Sequence, residues 1–393
     1  MSNNVVIVSG VRTPMGGFQG SLSAVSAIDL GATSVAEAVR RANIEASDVQ
    51  EIILGNVLPA GLKQGPARQV MRKAGLPDST GATTINKLCG SGMKATMLAH
   101  DLIMAGTNDI MVAGGFESMS NAPYLLLNAR KGYRMGAGDT AQDHMFLDGL
   151  EDAETGRLMG AFAQDMADKK GYTREDMDNY AINSLKRAQS AIKEGLLKDE
   201  IVPVTVKTRK GETVVEEDEQ PLTANLDKIP TLRPAFSKDG TVTAANASSI
   251  SDGSSALVLM SEAEAERRGL KPLARIVGHS THSQHPSEFT CAPVGAINKL
   301  FEKTGWSKDE VDLYEINEAF AMVAMMPIRE LGLDPDRVNV HGGACAQGHP
   351  VGSTGSRLLV TLMHALLRYG KKKGVASLCI GGGEATAMAI ELL

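Results

Sequence analysis

The stretch Asp109-Ile110-Met111-Val112-Ala113-Gly114-Gly115 is an apolar run halted by two glycines. It returns near the end of the chain as Val375-Ala376-Ser377-Leu378-Cys379-Ile380-Gly381-Gly382. A short apolar run closed by glycine is the pattern of a strand buried on both faces. The neighbours of the two copies repeat as well. Ala36-Glu37-Ala38-Val39-Arg40-Arg41-Ala42 leads through Asp48-Val49 into Ile52-Ile53-Leu54. Ala296-Ile297-Asn298-Lys299-Leu300-Phe301 leads through Glu310-Val311 into Leu313-Tyr314-Glu315-Ile316. Two halves with one order of elements imply an internal duplication, with a site where the halves meet.

Outward from these runs, strand patterns at residues 5–9, 51–54, 82–88 and 109–113 alternate with helical patterns at 29–42, after Gly65-Pro66, and at 89–105. That alternation predicts an α/β fold of βαβ units, each half a mostly parallel mixed sheet with helices. Between about Ser120 and Ala245 the rhythm breaks. Gly132, Gly136, Gly138 and Gly149 punctuate it, and helical patterns near 161–170 and 174–194 precede a β-like run at 201–207. We therefore read 120–245 as an inserted loop domain covering the site, 1–119 with 246–271 as the N-terminal half, and 272–393 as the C-terminal half.

Composition narrows the function classes. With 393 residues, 43% of them hydrophobic and 22% charged, the chain can bury a large core. A net charge of −6 and 4% aromatics argue against nucleic acid, which needs a basic face and stacking rings. Arg130-Lys131 with Arg134, or Lys371-Lys372-Lys373, offer local cation clusters for a small phosphorylated ligand or simply a solvated surface. The N-terminal Met1-Ser2-Asn3-Asn4 lacks a basic flank before an apolar stretch, and no run approaches the roughly 18 apolar residues of a membrane span. A cytoplasmic setting without membrane partners is the expectation. The four cysteines, at 89, 291, 345 and 379, show no paired spacing of a disulfide framework or zinc ribbon.

Four positions carry possible chemistry. Cys89, in Asn86-Lys87-Leu88-Cys89-Gly90-Ser91-Gly92, falls where a strand pattern meets a helix pattern. A helix N-terminus lowers a thiol's pKa and cradles an oxyanion, whereas a buried cysteine is merely a small apolar residue. His349, in Gly348-His349-Pro350-Val351-Gly352, is held in a loop where it serves either as a base or as a turn residue. Cys379 ends a strand and precedes three glycines whose N–H groups are available donors. Asn317-Glu318, after Leu313-Tyr314-Glu315-Ile316, suits a helix cap as well as a site. His279, His282 and His285 recur every third residue. Pro286 and the absence of an acidic or cysteine partner at ligand spacing assign no metal to them. No Gly-Lys-Ser/Thr phosphate loop or Gly-x-Ser-x-Gly elbow is present.

Together these segments resemble the thiolase family over essentially the whole chain. The resemblance is carried by Val8-Ser9-Gly10-Val11-Arg12-Thr13-Pro14, the Cys89 segment, Gly114-Gly115-Phe116-Glu117-Ser118-Met119-Ser120, Asn317-Glu318-Ala319-Phe320-Ala321, the His349 segment and Cys379-Ile380-Gly381-Gly382-Gly383. Gly65-Pro66-Ala67-Arg68-Gln69 and Leu232-Arg233-Pro234-Ala235-Phe236 are most similar to its acetyl-CoA acetyltransferase branch. The resemblance implies a duplicated thiolase-like fold, assembled as a homotetramer of two tight dimers. It also implies reversible condensation of two acetyl-CoA, with coenzyme A thioesters as substrates and no permanently bound cofactor. Cys89 would carry the acyl group, helped by His349, and Cys379 would move the α-proton. His349 with a water held by Asn317 would form one oxyanion site, and the N–H groups of Cys89 and Gly381 the other. Ser248 and Met159 would contact coenzyme A. A thiolase of longer chain length and a non-catalytic acyl-CoA or lipid carrier are the alternatives. The chain departs from the family pattern at Leu158, at His341, at Glu384 and in 220–225, which lacks an arginine; these bear on chain length and coenzyme A grip.

Overall fold

The computed structural model describes residues 4–136, 138, 140–209 and 211–393; Met1, Ser2 and Asn3 of the N-terminal reading lie outside the described residues. The first half runs β1 (Val5–Arg12), α1 (Ala27–Arg41), β2 (Glu51–Gly55), α2 (Pro66–Lys73), β3 (Gly81–Ile85), α3 (Ser91–Met104) and β4 (Ile110–Ser118). A long segment containing α4 (Met159–Lys170) and α5 (Arg174–Lys193) follows, and β5 (Ser251–Ser261) returns to the sheet. The second half runs β6 (Ala274–Ser283), α6 (Ala292–Thr304), β7 (Leu313–Ile316), α7 (Ala321–Leu331), α8 (Val351–Tyr369), β8 (Lys373–Ile380) and β9 (Glu384–Leu392).

These strands form one sheet in the order β7-β8-β9-β6-β1-β5-β4-β2-β3. The order is a mirror about the β6–β1 junction, with β7-β8-β9-β6 on one side and β2-β4-β5-β1 on the other. That mirror is the duplication read from the repeated runs. Glu51 to Gly55 pair in parallel with Met111 to Gly115, as Leu313 to Ile316 pair with Gly374 to Ser377. Among the described residues, the parallel strand pairs of this sheet are β2–β3, β2–β4 and β7–β8; the expected βαβ rhythm overstated parallel pairing, because β5 and β9 return antiparallel beside their neighbours. Among the described residues, two register pairs, Val6↔Arg275 and Ile7↔Ala274, join the halves in the sheet.

Alternation along each strand sends side chains to two faces. Val6, Val8, Ile52, Leu54, Val112 and Val258 pack under α1 and α2. Ile7, Ile53, Met111, Leu257, Leu378 and Ile390 face α3 and α8, which lie between the halves. Tyr314, Ile316, Val375 and Ala387 pack under α6. Helix α8 is buried from Val351 to Leu366 apart from His364, a stretch that includes Arg357 beside its apolar and small residues. Each of its shielded leucines contributes about 2 kcal/mol.

Arg12, buried at the end of β1, docks the long segment. Its guanidinium binds both oxygens of Asp218 at 2.7 and 2.9 Å and Glu200 Oε1 at 2.5 Å. Such a fork satisfies the buried charges mutually. Among the described residues no helix is long and apolar enough to cross a membrane.

Candidate active site

Strand β3 ends at Ile85 and α3 begins at Ser91, so Cys89 sits in a tight turn ahead of the helix. The expected helix over 89–105 therefore starts two residues late. The turn is held by side chains: Asn86 Oδ1 accepts from Leu88 N–H (2.8 Å), and the Ser91 hydroxyl accepts from Lys87 N–H (2.8 Å) and donates to the Leu88 carbonyl (2.6 Å). Leu88 has φ 47°, a left-handed conformation that costs a non-glycine residue about 1–2 kcal/mol. At Gly90 a Cβ would lie 2.3 Å from Ile380 Cδ1. Only glycine lets this turn touch the strand that carries Cys379.

The duplication explains the meeting of groups. Cys89 precedes α3 and His349 precedes α8, the matching central helices of the two halves. Cys379 ends β8, and the triple glycine turns the chain into β9 with φ 84° at Gly382 and 89° at Gly383. A cavity of about 230 Å³ lies where they converge, and Cys89, His349, Cys379, Gly381, Ser248 and Met159 all line it. Phe146, Phe236, Phe289 and Phe320 make its walls largely apolar, and Leu158 is among them. Asn317 joins through Nδ2, 3.5 Å from His349 Nε2. Much of the wall, Phe146, Leu158, Met159 and Phe236, comes from the long segment between β4 and β5.

Hydrogen bonds set the tautomer of His349. Thr354 Oγ1 lies 3.0 Å from the Pro350 carbonyl and 2.6 Å from His349 Nδ1; with its hydroxyl donated to that carbonyl, it accepts from an Nδ1–H. Nε2 is then left as a lone pair facing the site. Burial, with a smaller push from the Arg357 cation, lowers the imidazole's pKa to about 3, so the ring is neutral.

Both thiols are protonated at rest. Burial raises Cys89 to about 11, although the backbone N–H groups of Gly381 and Cys89 itself oppose the rise. Burial, then the charge of Cys89, carries Cys379 well above its ordinary range. The expectation that a helix dipole would lower the Cys89 pKa is thus corrected. The helix starts further on, and desolvation outweighs two N–H donors.

Asn317 and Glu318 do not cap a helix: α7 begins at Ala321 after an extended Phe320. Glu318 instead anchors the Asn317 turn by accepting from Tyr180 (3.0 Å), Ser184 (2.7 Å), Asn339 (2.9 Å) and the Cys345 N–H (3.1 Å). Those partners lie far along the chain and leave no local pattern. Thr354, in contrast, stands five residues after His349, two past the end of that motif, and was open to reading. Of the departures, His341 is buried with Nε2 3.1 Å from the Tyr369 hydroxyl, outside the cavity wall. Arg130, Lys131 and Arg134 are exposed and likewise absent from that wall.

Comparison with known proteins places this geometry. Residues 5–263 match the family described as thiolase, N-terminal domain, and residues 270–392 the thiolase, C-terminal domain. A probable acetyl-CoA acetyltransferase of Dictyostelium discoideum is 49% identical over 99% of this chain and 94% of its own length. The crystal structure of the Bacillus anthracis acetyl-CoA acetyltransferase superposes with a TM-score of 0.97 at 43% identity, covering 100% of this chain and 99% of that one. That of the Acat5 thiolase from Ascaris suum, in complex with coenzyme A, gives 0.94 at 42% identity over 99% and 100%.

Proposed function

The chain belongs to the thiolase family, and from that premise we infer that it is an acetyl-CoA acetyltransferase. It joins two acetyl-CoA into acetoacetyl-CoA and free coenzyme A, or runs the reverse thiolysis. The observation that carries this reading is the convergence of Cys89, His349, Cys379 and Gly381 on one small apolar cavity.

The resting state, two thiols and a neutral imidazole, suggests how protons move. As Cys89 Sγ attacks the thioester carbonyl, its proton passes to His349 Nε2. The C–S bond to coenzyme A breaks, and the departing thiolate takes the Cys379 proton. This leaves an acetyl-cysteine, an imidazolium and the Cys379 thiolate. The two charges stabilise one another between largely apolar walls. A second acetyl-CoA then loses its α-proton to Cys379, and the enolate attacks the acetyl-cysteine. When the new C–C bond displaces Cys89, His349 returns its proton and the cycle closes. The N–H groups of Cys89 and Gly381, which face the thiol sulfur, suit the oxyanion of the acyl step. Asn317 beside Nε2 suits the enolate oxygen, with a water between. Ser248 and Met159 take the coenzyme A arm, and residues 120–245 cover it.

A cavity of about 230 Å³ walled by phenylalanines favours a short acyl group over a long chain. Thiolysis rates on acetoacetyl-CoA and on a medium-chain 3-ketoacyl-CoA test this. Faster cleavage of the shorter substrate is expected, and a strong preference for the longer one overturns the assignment. With this reading go a homotetramer of two tight dimers, checked by light scattering, and a cytoplasmic place of work.

A further inference from the structure

His279 was left without a partner by its sequence neighbours; the fold supplies two. His100 and Asp101, near the end of α3, meet His279 on β6. Asp101 Oδ1 lies 2.9 Å from His100 Nδ1 and 2.9 Å from His279 Nε2, and all three ligand atoms fall within 4.8 Å of one another. Consecutive residues of a helix normally point apart, yet His100 and Asp101 turn toward one point. The two imidazoles stand edge to face, their centroids 5.1 Å apart. Among the described residues no other group of three such side chains converges in this way.

We propose that His100, Asp101 and His279 bind one divalent transition cation of the Zn²⁺ class, which clips α3 to β6. Ligands of a tetrahedral Zn²⁺ at about 2.0–2.1 Å stand roughly 3.3 Å apart. Two separations, 2.9 Å each, are shorter than that value and the third is at most 4.8 Å, so side-chain shifts of about an ångström admit the ion. Two imidazoles and a carboxylate are the borderline donors that suit Zn²⁺, Co²⁺ and Ni²⁺ and discriminate against Mg²⁺ and Ca²⁺. On binding, each neutral imidazole carries its proton on the ring nitrogen turned away from Asp101, so the ring stays neutral, and two N–M bonds and one O–M bond replace two hydrogen bonds. Asp101 is exposed while His279 is buried, so a fourth position opens to water. A neighbouring cation opposes the site: Lys303 Nζ donates to the His279 carbonyl at 3.1 Å.

The clip joins the supports of both thiol loops. Helix α3 carries the Cys89 turn ahead of it. Strand β6 ends at Ser283, whose hydroxyl donates to Glu384 (3.0 Å) beside the triple glycine.

Co²⁺ is the probe, added to chelator-treated protein and read by absorption, because thiolate ligation announces itself by charge-transfer intensity that nitrogen and oxygen ligands lack. One equivalent is expected to bind with d–d bands only, to be displaced by Zn²⁺, and to raise Tm. Asp101→Asn, which keeps a hydrogen-bond acceptor, and His279→Gln are each expected to weaken it about 10-fold or more. Lys303→Gln is expected to tighten it. Three results would each overturn the proposal: no binding, binding insensitive to Asp101→Asn and His279→Gln, or a thiolate band that disappears in Cys89→Ser, which would put the ion in the catalytic cavity.

Discussion

Lys87 Nζ lies 2.5 Å from Glu384 Oε2, and this ion pair crosses between the two halves. Lys87 stands two residues before Cys89, and Glu384 follows the triple glycine that presents Gly381. The pair therefore ties the Cys89 turn to the loop whose Gly381 N–H faces the Cys89 sulfur. Glu384 was noticed in the sequence as a departure from the family pattern; here it is a strap. Glu384→Gln is expected to cost about 1 kcal/mol of stability, as a partly exposed pair should, while slowing acylation of Cys89. The charge-swapped double variant Lys87→Glu/Glu384→Lys should recover much of the rate. Single-turnover kinetics on acetyl-CoA check both.

Thr354 sets the tautomer of His349. Thr354→Val keeps the shape and removes the acceptor, which strands the buried Nδ1–H at about 1–3 kcal/mol. The ring then favours the Nε2–H form, which cannot take the Cys89 proton, and acylation should fall about 100-fold. Thr354→Ser restores the hydroxyl and should restore the rate. Equal rates in Val and Ser variants would remove Thr354 from the account.

The buried His349 makes stability depend on acidity. Its pKa falls from the ordinary 6.5 to about 3 on folding. Between those values the unfolded chain holds a proton that the folded chain does not, so stability declines as pH drops below about 6.5. From this group alone the loss by pH 5 is about 2 kcal/mol. Denaturant melts of the parent and His349→Asn at pH 7 and pH 5 should show the variant losing less. Parallel losses would mean that other groups set the acid limb.

Arg12 is the fourth structural dependency. Arg12→Met leaves Glu200 and Asp218 buried without their cation, and unpaired buried charges cost about 3–5 kcal/mol. A loss below 1 kcal/mol in urea melts would show that the long segment docks by other contacts.

Much of this architecture was legible because duplication writes itself twice. The runs at Asp109 and Val375 found the matching strands, and their neighbours found β2 and β7. Helix α8 was not legible. Its first turns carry Gly352-Ser353-Thr354-Gly355-Ser356, a run of weak helix formers that reads as loop. The site motifs gave Cys89, His349, Cys379 and Asn317, but not their protonation. Proton affinity depends on burial by elements distant in sequence, and local pattern overrated the helix at Cys89. The Arg12–Asp218 fork and the His279–Asp101 contact span 206 and 178 residues. Spacing rules do not reach that far.

The central claim is that Cys89 carries the acyl group. Brief exposure to acetyl-CoA, acid quench and peptide mass analysis test it directly. One acetyl mass on the Cys89 peptide, absent in Cys89→Ala and retained in Cys379→Ala, is the predicted result. An unmodified Cys89 in a protein that still binds acetyl-CoA would contradict the account and leave a carrier in place of an enzyme.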